Sequence, residues 1–292
     1  MKGKNIDMTT FFDREIITSR QNASVVGAGK LSDKKYRDAE KRFRIDGIKL
    51  FEEAVASKTD IETVFIRVGS IEKIKERLAP YLEAFSGTDV KMLSDGVFDK
   101  LSEERSPEGI ICVVKHIDKL HKIVKVNDKA RFDISAVIDP TSKIFAVESV
   151  RDPGNLGTII RTAAAFDIDT LILSADCADI YNPKTLRAAM GAVFRQNTVR
   201  VDDLGKTLRA LSAAGRTTYA ATLGKSAVLL GETVTTAADC IVVGNEGHGL
   251  SDETVKSCDR NILIPMVAGA ESLNAAVAAS VLMWELVARD LR

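Results

Sequence analysis

Short apolar runs alternate with helix-length segments along the second half of the chain. Runs rich in Val, Ile and Leu predict buried strands at 144–147, 170–173, 217–221, 240–243 and 262–264. Helices are predicted at 203–214 and after Asn155, Pro183, Ser251 and Ser272. Continuous apolar strands that alternate with helices indicate a parallel sheet covered on both faces. Ligands of such sheets bind beyond the carboxyl ends of the strands.

The first half predicts a smaller α/β unit. Strands are expected at 63–68, 90–93 and 109–114, with helices from Asp46 and Ile71 and a polar, basic, helical leader over 1–45. Between 117 and 138 the hydrophobic period is lost, which indicates a linker or a peripheral segment. We therefore predict a domain over 1–116, a linker over 117–138 and a second domain over 139–292.

The final helix is apolar on both sides, which requires two packing partners. Ser272 is the predicted N-cap, and a cap needs one polar side chain, so Asn274 is expected to have another role. Four positions have no evident use within the chain and predict contact with a second copy: Ala275, Ala279, Leu282 and Leu286.

Composition excludes several classes of protein. The 292 residues are 45% hydrophobic and 28% charged, as in ordinary globular domains. No apolar run has the length of a membrane span and the N-terminus lacks a signal-peptide core, so we expect a cytoplasmic protein. The net charge is zero, but Lys30–Arg44 holds seven basic and three acidic residues. Such a patch is either a solvated helix face or a nucleic-acid contact.

Three polar clusters follow predicted strands. The first has the order Asn155-x-Gly157-x-x-x-Arg161. The second is Gly244-Asn-Glu-Gly-His-Gly249, where three glycines in six residues indicate close approach by a ligand or by another segment. The third runs from Ile264-Pro-Met266 to Ser272-Leu-Asn274.

Two rival chemistries find no support. Leu223-Gly-Lys-Ser226 looks like the end of a phosphate-binding loop, but the position that needs the first glycine is Tyr219. The three histidines and four cysteines are dispersed, so no metal site is expected.

The three clusters, in this order and spacing, closely resemble the motifs of the SpoU family of RNA ribose 2′-O-methyltransferases, within the SPOUT superfamily. Residues 181–191 are also similar to the family's segment between its first and second motifs. The likeness covers residues 144–292. It implies an α/β domain with a parallel sheet and a deep trefoil knot, which composition cannot predict because knots are very rare. It also implies S-adenosylmethionine as methyl donor and a homodimer formed through the knot.

Family matching implies individual roles. The cofactor pocket is expected at Thr222, Gly244, Ile264, Met266 and Leu273, and the catalytic set at Asn155, Arg161, Glu246, Ser272 and Asn274. In the reaction, a ribose 2′-oxygen displaces a neutral thioether from the methyl carbon, so alignment and removal of the hydroxyl proton are required. An arginine pKa above about 12 makes a neutral guanidine costly near pH 7. We therefore expect Arg161 to bind a phosphate and orient the hydroxyl, and the proton passes either to Arg161 or to water.

The N-terminal half is similar, more weakly, to the L30e/L7Ae-type RNA-binding domain that precedes many family members. The likeness rests on residues 20–22, 34–37, 46–47 and 106–109. It implies RNA contacts at Arg20, Lys34, Lys35, Arg37 and Lys41. Ribosomal RNA is the expected substrate and transfer RNA the alternative. A non-catalytic RNA-binding assembly protein is a third reading, which the intact motif residues argue against.

Overall fold

The computed structural model describes residues 11–126, 138–139, 141–223, 227–232, 235–236, 238–245, 247–267 and 272–288. Contacts divide the chain into two compact units. The first ends at Ile117 and includes Tyr181–Leu186, and the second holds Asp118–Ile180 and the chain from Arg187 onward. Glu246, one of the predicted catalytic residues, lies outside the described residues.

A five-stranded mixed sheet forms the centre of the first unit. Its strands are β1 (Ile16–Ile17), β2 (Arg42–Asp46), β3 (Ile61–Arg67), β4 (Asp89–Leu93) and β5 (Ile110–Lys115), in the order β1-β4-β3-β5-β2. Strand β5 is antiparallel to both of its neighbours, and the other pairs are parallel. The helices are α1 (Ala23–Lys30), α2 (Lys34–Glu40), α3 (Ile48–Ala56), α4 (Ile71–Leu78) and α5 (Asp95–Leu101).

The prediction of a helical leader over 1–45 is wrong at two places: Ile16–Ile17 form β1, which pairs with β4, and the C-terminal end of the leader is also a strand. Lys41 ends α2 in the left-handed region with φ 53°, and the next residues form β2, which pairs with β5. Phe43 and Ile45 are 0% and 1% exposed. Arg44 is also buried, and its guanidinium contacts the Glu103 carboxylate at 2.6 Å. The basic residues in this segment made it resemble a polar helix, whereas it forms a strand that is stabilised by pairing with β5.

The second unit contains an eight-stranded sheet whose neighbours all pair in parallel. Its strands are β6 (His121–Val124), β7 (Ile144–Val147), β8 (Thr170–Ser174), β9 (Asn197–Val201), β10 (Thr218–Ala221), β11 (Val228–Leu229), β12 (Cys240–Val243) and β13 (Arg260–Leu263). Its helices are α6 (Pro153–Ala165), α8 (Leu204–Ala213), α9 (Asp252–Ser257) and α10 (Ala275–Val287), and α7 (Pro183–Ala189) is divided between the two units after Leu186. The predicted fold class, α/β with a parallel sheet preceded by a smaller α/β unit, is confirmed.

The strand order brings separate parts of the sequence together. It runs β11-β13-β10-β12-β7-β8-β9-β6, so β13 lies outside β10, whereas the helix that follows β13 returns to contact α6 and β12. The connections that leave the carboxyl ends of β10, β12 and β13 therefore meet at one edge of the sheet. Residues 117–138, predicted as a linker or peripheral segment, include edge strand β6, paired with β9.

The final helix differs from its prediction in what its faces contact. The four residues assigned to a second copy are at most 3% exposed within the single chain: Ala275, Ala279, Leu282 and Leu286. That assignment is wrong, because α6 and β12 cover this face. The exposed apolar residues lie on another side, at Val277 (50%) and Trp284 (44%). None of the described helices is long and apolar enough to cross a membrane.

Candidate active site

A cavity of about 480 Å³ lies among the connections that follow β10, β12 and β13 and the start of α10. Its walls include all five residues implied for the cofactor: Thr222, Gly244, Ile264, Met266 and Leu273. The volume falls within the range of about 300–1,000 Å³ typical of small-molecule sites. Three segments that are distant in sequence thus form one pocket.

Gly244 is required by the close approach of its own loop. A Cβ at this position would lie 2.3 Å from the carbonyl carbon of Gly249, a distance that no side chain tolerates. The loop closes through two backbone bonds, from Asn245 N to Gly249 O (3.1 Å) and from Gly249 N to Asn245 O (2.9 Å). The sequence left open whether a ligand or another segment approaches these glycines. In the structure, the segment that follows makes the close contact.

The described residues that line the pocket are largely uncharged. Apolar side chains such as Leu250, Met266 and Leu282 alternate with the polar groups of Thr222 and Ser272. Among the described lining residues, His248 is the one ionisable side chain. No group of three or more metal-ligating side chains occurs in the described part of the chain. Apolar walls, hydroxyl groups and nearby main chain match a nucleoside linked to an amino acid, as in S-adenosylmethionine.

Asn274 connects the third motif to the first. Its Oδ1 caps α10 by accepting bonds from Ala276 N (2.9 Å) and Val277 N (3.3 Å). Its Nδ2 donates to Oδ1 of Asn155 at 3.0 Å. Asn155 is held in turn at the start of α6, where its N–H donates to the capping carboxylate of Asp152 at 2.8 Å.

The predicted N-cap is therefore wrong. Ser272 was expected to cap the final helix, but the helix begins three residues later and Asn274 is its cap. Ser272 lies instead on the wall of the cavity. The two polar side chains of the third motif have separate places, and Asn274 combines a cap with a bond to another motif.

Arg161 lies six residues beyond Asn155 on α6, about 9 Å along the helix axis. The opposite face of this helix is buried through Leu156, Ile159 and Ile160, whereas Arg161 is exposed. Among the described residues, none accepts a hydrogen bond from its guanidinium. A permanently charged, accessible guanidinium is suited to binding a phosphate.

A carboxylate that the sequence did not single out supports the first motif. Asp176 follows β8 and accepts hydrogen bonds from Ser149 Oγ (2.6 Å), Ser174 Oγ (2.7 Å) and Arg151 Nη2 (2.9 Å). Partial burial raises the pKa of this carboxyl, but the three donors outweigh it and lower the pKa to about 2. Asn245 and His248 of the cavity wall were also missed, although both belong to the glycine-rich cluster.

The residues predicted to bind RNA divide into two groups. Arg20, Lys34, Lys35 and Lys41 are exposed. Arg37 is 2% exposed, and its Nη1 donates to the carbonyl oxygens of Leu31 and Ser32, each at 2.7 Å. Its prediction as an exposed RNA contact is wrong, because the guanidinium holds the turn between α1 and α2.

Comparison with known families identifies the class. Residues 142–284 match the model of the SpoU rRNA Methylase family, and residues 22–112 match that of the MRM3-like substrate binding domain. The chain belongs to the SpoU rRNA methylase family. The predictions of this family and of the methyltransferase class are confirmed.

Individual relatives match most of the chain. The Bacillus subtilis 23S rRNA (guanosine(2553)-2′-O)-methyltransferase RlmP is 33% identical over 92% of this chain and 98% of its own length. The Haemophilus ducreyi 23S rRNA (guanosine-2′-O-)-methyltransferase RlmB is 27% identical over 78% of this chain and 89% of its own. The structure of an AdoMet-bound rRNA methyltransferase from Sinorhizobium meliloti superimposes with a TM-score of 0.77 at 27% identity, covering 95% of this chain and 98% of that one.

Proposed function

We propose that the chain transfers a methyl group from S-adenosylmethionine to a ribose 2′-hydroxyl of 23S ribosomal RNA. The observation that carries this proposal is the Asn274–Asn155 hydrogen bond, which joins the third motif to the first beside the 480 Å³ cavity. The names of the Bacillus subtilis and Haemophilus ducreyi relatives support 23S ribosomal RNA as the substrate.

The cavity walls hold the methyl donor in this proposal. Ile264, Met266 and Leu273 supply apolar contact, Thr222 supplies a hydroxyl group, and Gly244 lets the main chain come close. S-adenosylmethionine supplies an activated methyl group on a sulfonium, whose thioether is a good leaving group. The relative from Sinorhizobium meliloti, whose structure contains AdoMet, supports this use of the pocket.

The catalytic roles are assigned to the side chains around α6. Arg161 binds the phosphate next to the target ribose and orients the 2′-hydroxyl, because its charged guanidinium has no partner among the described residues. Asn155 and Asn274, which are hydrogen-bonded to each other, position the ribose relative to the third-motif loop. Ser272 contributes a hydroxyl at the cavity wall. Glu246 is assigned to this network by its place in the second motif.

The first unit binds the RNA in this proposal. Its match to a substrate binding domain supports this role. Arg20, Lys34, Lys35 and Lys41 are the phosphate contacts, since each is exposed and positively charged. We retain the domain division 1–116, 117–138 and 139–292, with β6 attached to the second domain. The cytoplasmic location stays a prediction.

We also propose a homodimer that uses a different side of the final helix from the one predicted. Val277, Val281, Trp284 and Ala288 recur every three or four residues and form one apolar stripe along α10. Trp284 already contacts Phe166, the C-cap residue of α6, with ring centroids 5.7 Å apart. An exposed tryptophan within an apolar stripe is typical of an interface centre.

The deciding experiment is methyl transfer from labelled S-adenosylmethionine to an unmodified 23S ribosomal RNA transcript, followed by mapping of the nucleotide. The position equivalent to guanosine 2553 is tested first, because it is named in the Bacillus subtilis relative. An unmodified transfer RNA pool tests the alternative substrate. Transfer to ribosomal RNA that Arg161→Ala abolishes supports the proposal. Cofactor binding without transfer to either RNA would instead support a non-catalytic RNA-binding protein.

A further inference from the structure

Two consecutive residues after β7 hold both ends of the second-motif loop. At one end, Nδ2 of Asn245 donates to the carbonyl oxygen of Ser149 at 2.8 Å. At the other end, the Glu148 carboxylate accepts bonds from Ser251 N (2.8 Å) and Thr254 Oγ1 (2.6 Å). The loop that lines the cofactor cavity is therefore fixed to the turn that precedes helix α6.

The side chain of Asn245 makes hydrogen bonds both within the second-motif loop and to the first motif outside it. Its Oδ1 accepts from Gly247 N (2.8 Å) and from His248 N (3.3 Å), which shapes the turn. Its Nδ2 is the group that reaches the first motif. One side chain thus performs two separable tasks, with its oxygen directed into the loop and its nitrogen directed out of it.

The partner of that nitrogen is held in an unfavourable conformation. Ser149 has φ 55°, in the left-handed region that residues other than glycine rarely adopt. Its N–H donates to Ser174 Oγ at 2.8 Å, and its Oγ donates to Asp176 at 2.6 Å. With Asn245 on the carbonyl oxygen, every polar group of Ser149 has a partner from a different part of the chain. Such over-determined backbone occurs where a surrounding structure needs one fixed geometry.

The anchored turn leads directly to the catalytic helix. Asp152 caps α6 three residues after Ser149, and Asn155 follows at the helix start, where it accepts the bond from Asn274. A continuous set of hydrogen bonds and short peptide segments therefore runs from Asn245 in the cofactor loop to the helix that carries Arg161.

We infer that Asn245 is a positioning residue for methyl transfer, which fixes the loop that holds the methyl donor relative to Asn155 and Arg161. This inference rests on the proposed function. An in-line displacement is sensitive to such placement, because a shift of about 1 Å between reacting groups can reduce the rate by about 100-fold. Because Asn245 aligns the reacting groups, its substitution should lower the rate of methyl transfer and leave the affinity for the cofactor unchanged.

Asn245→Asp isolates the outward bond. An aspartate keeps an oxygen that can accept from Gly247 N and His248 N, but it has no donor for the Ser149 carbonyl oxygen. Asn197→Asp is the matched control. Nδ2 of Asn197 donates to the Asp169 carbonyl oxygen at 3.1 Å, at the opposite, amino-terminal end of strands in the same sheet. Asn245→Ala adds no charge but removes both the donor and the acceptor oxygen, and it is the second variant if the aspartate variant fails to fold.

The measurements are the single-turnover methylation rate at saturating S-adenosylmethionine and RNA, the dissociation constant of S-adenosylmethionine by calorimetry, and the melting temperature of each full-length variant. We expect Asn245→Asp to bind the donor within about 3-fold of the wild type and to methylate about 30- to 100-fold more slowly. Asn197→Asp should match the wild type in donor affinity and in methylation rate.

Each other result overturns the inference. Equal rates for Asn245→Asp and the wild type would leave the proposed function intact and remove Asn245 as a positioning residue. A large loss of donor affinity with an unchanged saturated rate would make it a binding residue. If the wild type and Asn197→Asp bind the donor but methylate neither ribosomal nor transfer RNA, the proposed function fails, and the inference fails with it.

Discussion

Oδ1 of Asn155 accepts a 3.0 Å hydrogen bond from Nδ2 of Asn274, which lies 119 residues later in the chain. The two residues stand at the starts of helices α6 and α10, which pack against each other. The bond therefore places the first and third motifs in a fixed relation. It also separates two functions of Asn274, because the amide oxygen caps α10 and the amide nitrogen makes the connection.

Asn274→Asp should retain stability and lose activity. A carboxylate can still accept from Ala276 N and Val277 N, and Asp is as good an N-cap as Asn. It cannot donate to Asn155, so we expect the methylation rate to fall by about 10- to 100-fold. Asn274→Ala is the comparison, since it also loses the cap and about 1 kcal/mol of stability. Thermal melting and single-turnover assays separate the two effects. Full activity of the aspartate variant would show that the connection is dispensable.

Arg161→Lys should lose methylation activity although it keeps the positive charge. A planar guanidinium can bind a phosphate oxygen and the 2′-hydroxyl region together, whereas an ammonium is one compact charge. The expected loss is about 100-fold in single-turnover rate, with donor affinity unchanged because Arg161 lies outside the cavity lining. Arg209→Lys on α8 is the control. Near-normal turnover would remove Arg161 from the catalytic set, and weakened donor binding would assign it to the pocket.

Neutralising the exposed lysines of the leader should weaken RNA binding through electrostatics. The change is a combined substitution to Gln at Lys34, Lys35 and Lys41. Each lost phosphate contact should reduce the slope of log affinity against log salt by about 0.7–0.9. Arg37 is left in place because its guanidinium is buried. The control carries the same substitutions at Lys49, Lys58 and Lys75. Equal slopes for the wild type and the leader variant would make the basic residues a solvated face.

Trp284→Glu should separate the proposed homodimer into monomers. A charge at an exposed position of α10 leaves the buried face intact but opposes burial of the apolar stripe. A central interface tryptophan contributes about 2 kcal/mol or more, so the dimer dissociation constant should rise at least about 30-fold. Sedimentation equilibrium measures this, and Trp284→Phe is the control that keeps an apolar ring. An unchanged dimer mass in the glutamate variant would exclude this side of the helix.

Asp46 should make the protein less stable as the pH rises. Burial raises the pKa of its carboxyl to about 6, although a 2.5 Å bond from Ser102 Oγ and the Arg44 charge oppose the shift. The folded state therefore binds this proton more tightly than the unfolded state, whose pKa is about 3.9. Stability is lost between pH about 4 and 6, by about 3 kcal/mol.

The matched variant for that prediction is Asp46→Asn. Its amide oxygen can still accept from Ser102 Oγ, but it carries no charge to bury. Urea unfolding at several pH values should show a flatter profile for the variant and a higher stability than the wild type at pH 7. Parallel profiles for the two proteins would contradict the assignment of the pH dependence to Asp46.

The sequence was most informative where local pattern and local structure agree. The apolar runs at 144–147 and 240–243 predict β7 and β12 with correct bounds, because fully buried parallel strands need continuous apolar side chains. It was least informative at charged strands. Arg42–Asp46 carries two arginines, so its strand became evident only through pairing with β5. Arg37 is a second example. A charged arginine is expected at the surface, but the guanidinium of Arg37 is buried and donates to the carbonyl oxygens of Leu31 and Ser32.

The sequence by itself determined the alternation of five buried strands with helices in the second half, the family and the residues of the three motifs, because periodicity and motif spacing are local properties of a chain. The tertiary structure decided what those residues contact. Apolar residues on all sides of α10 show that partners are needed, but only packing against α6 and β12 shows that Ala279 and Leu282 are used within the chain. Likewise, Gly249 packs against Gly244, Asn155 pairs with Asn274, and Asn245 reaches Ser149. These relations follow from strands that are neighbours in the sheet without being neighbours in sequence, and no local pattern encodes that adjacency.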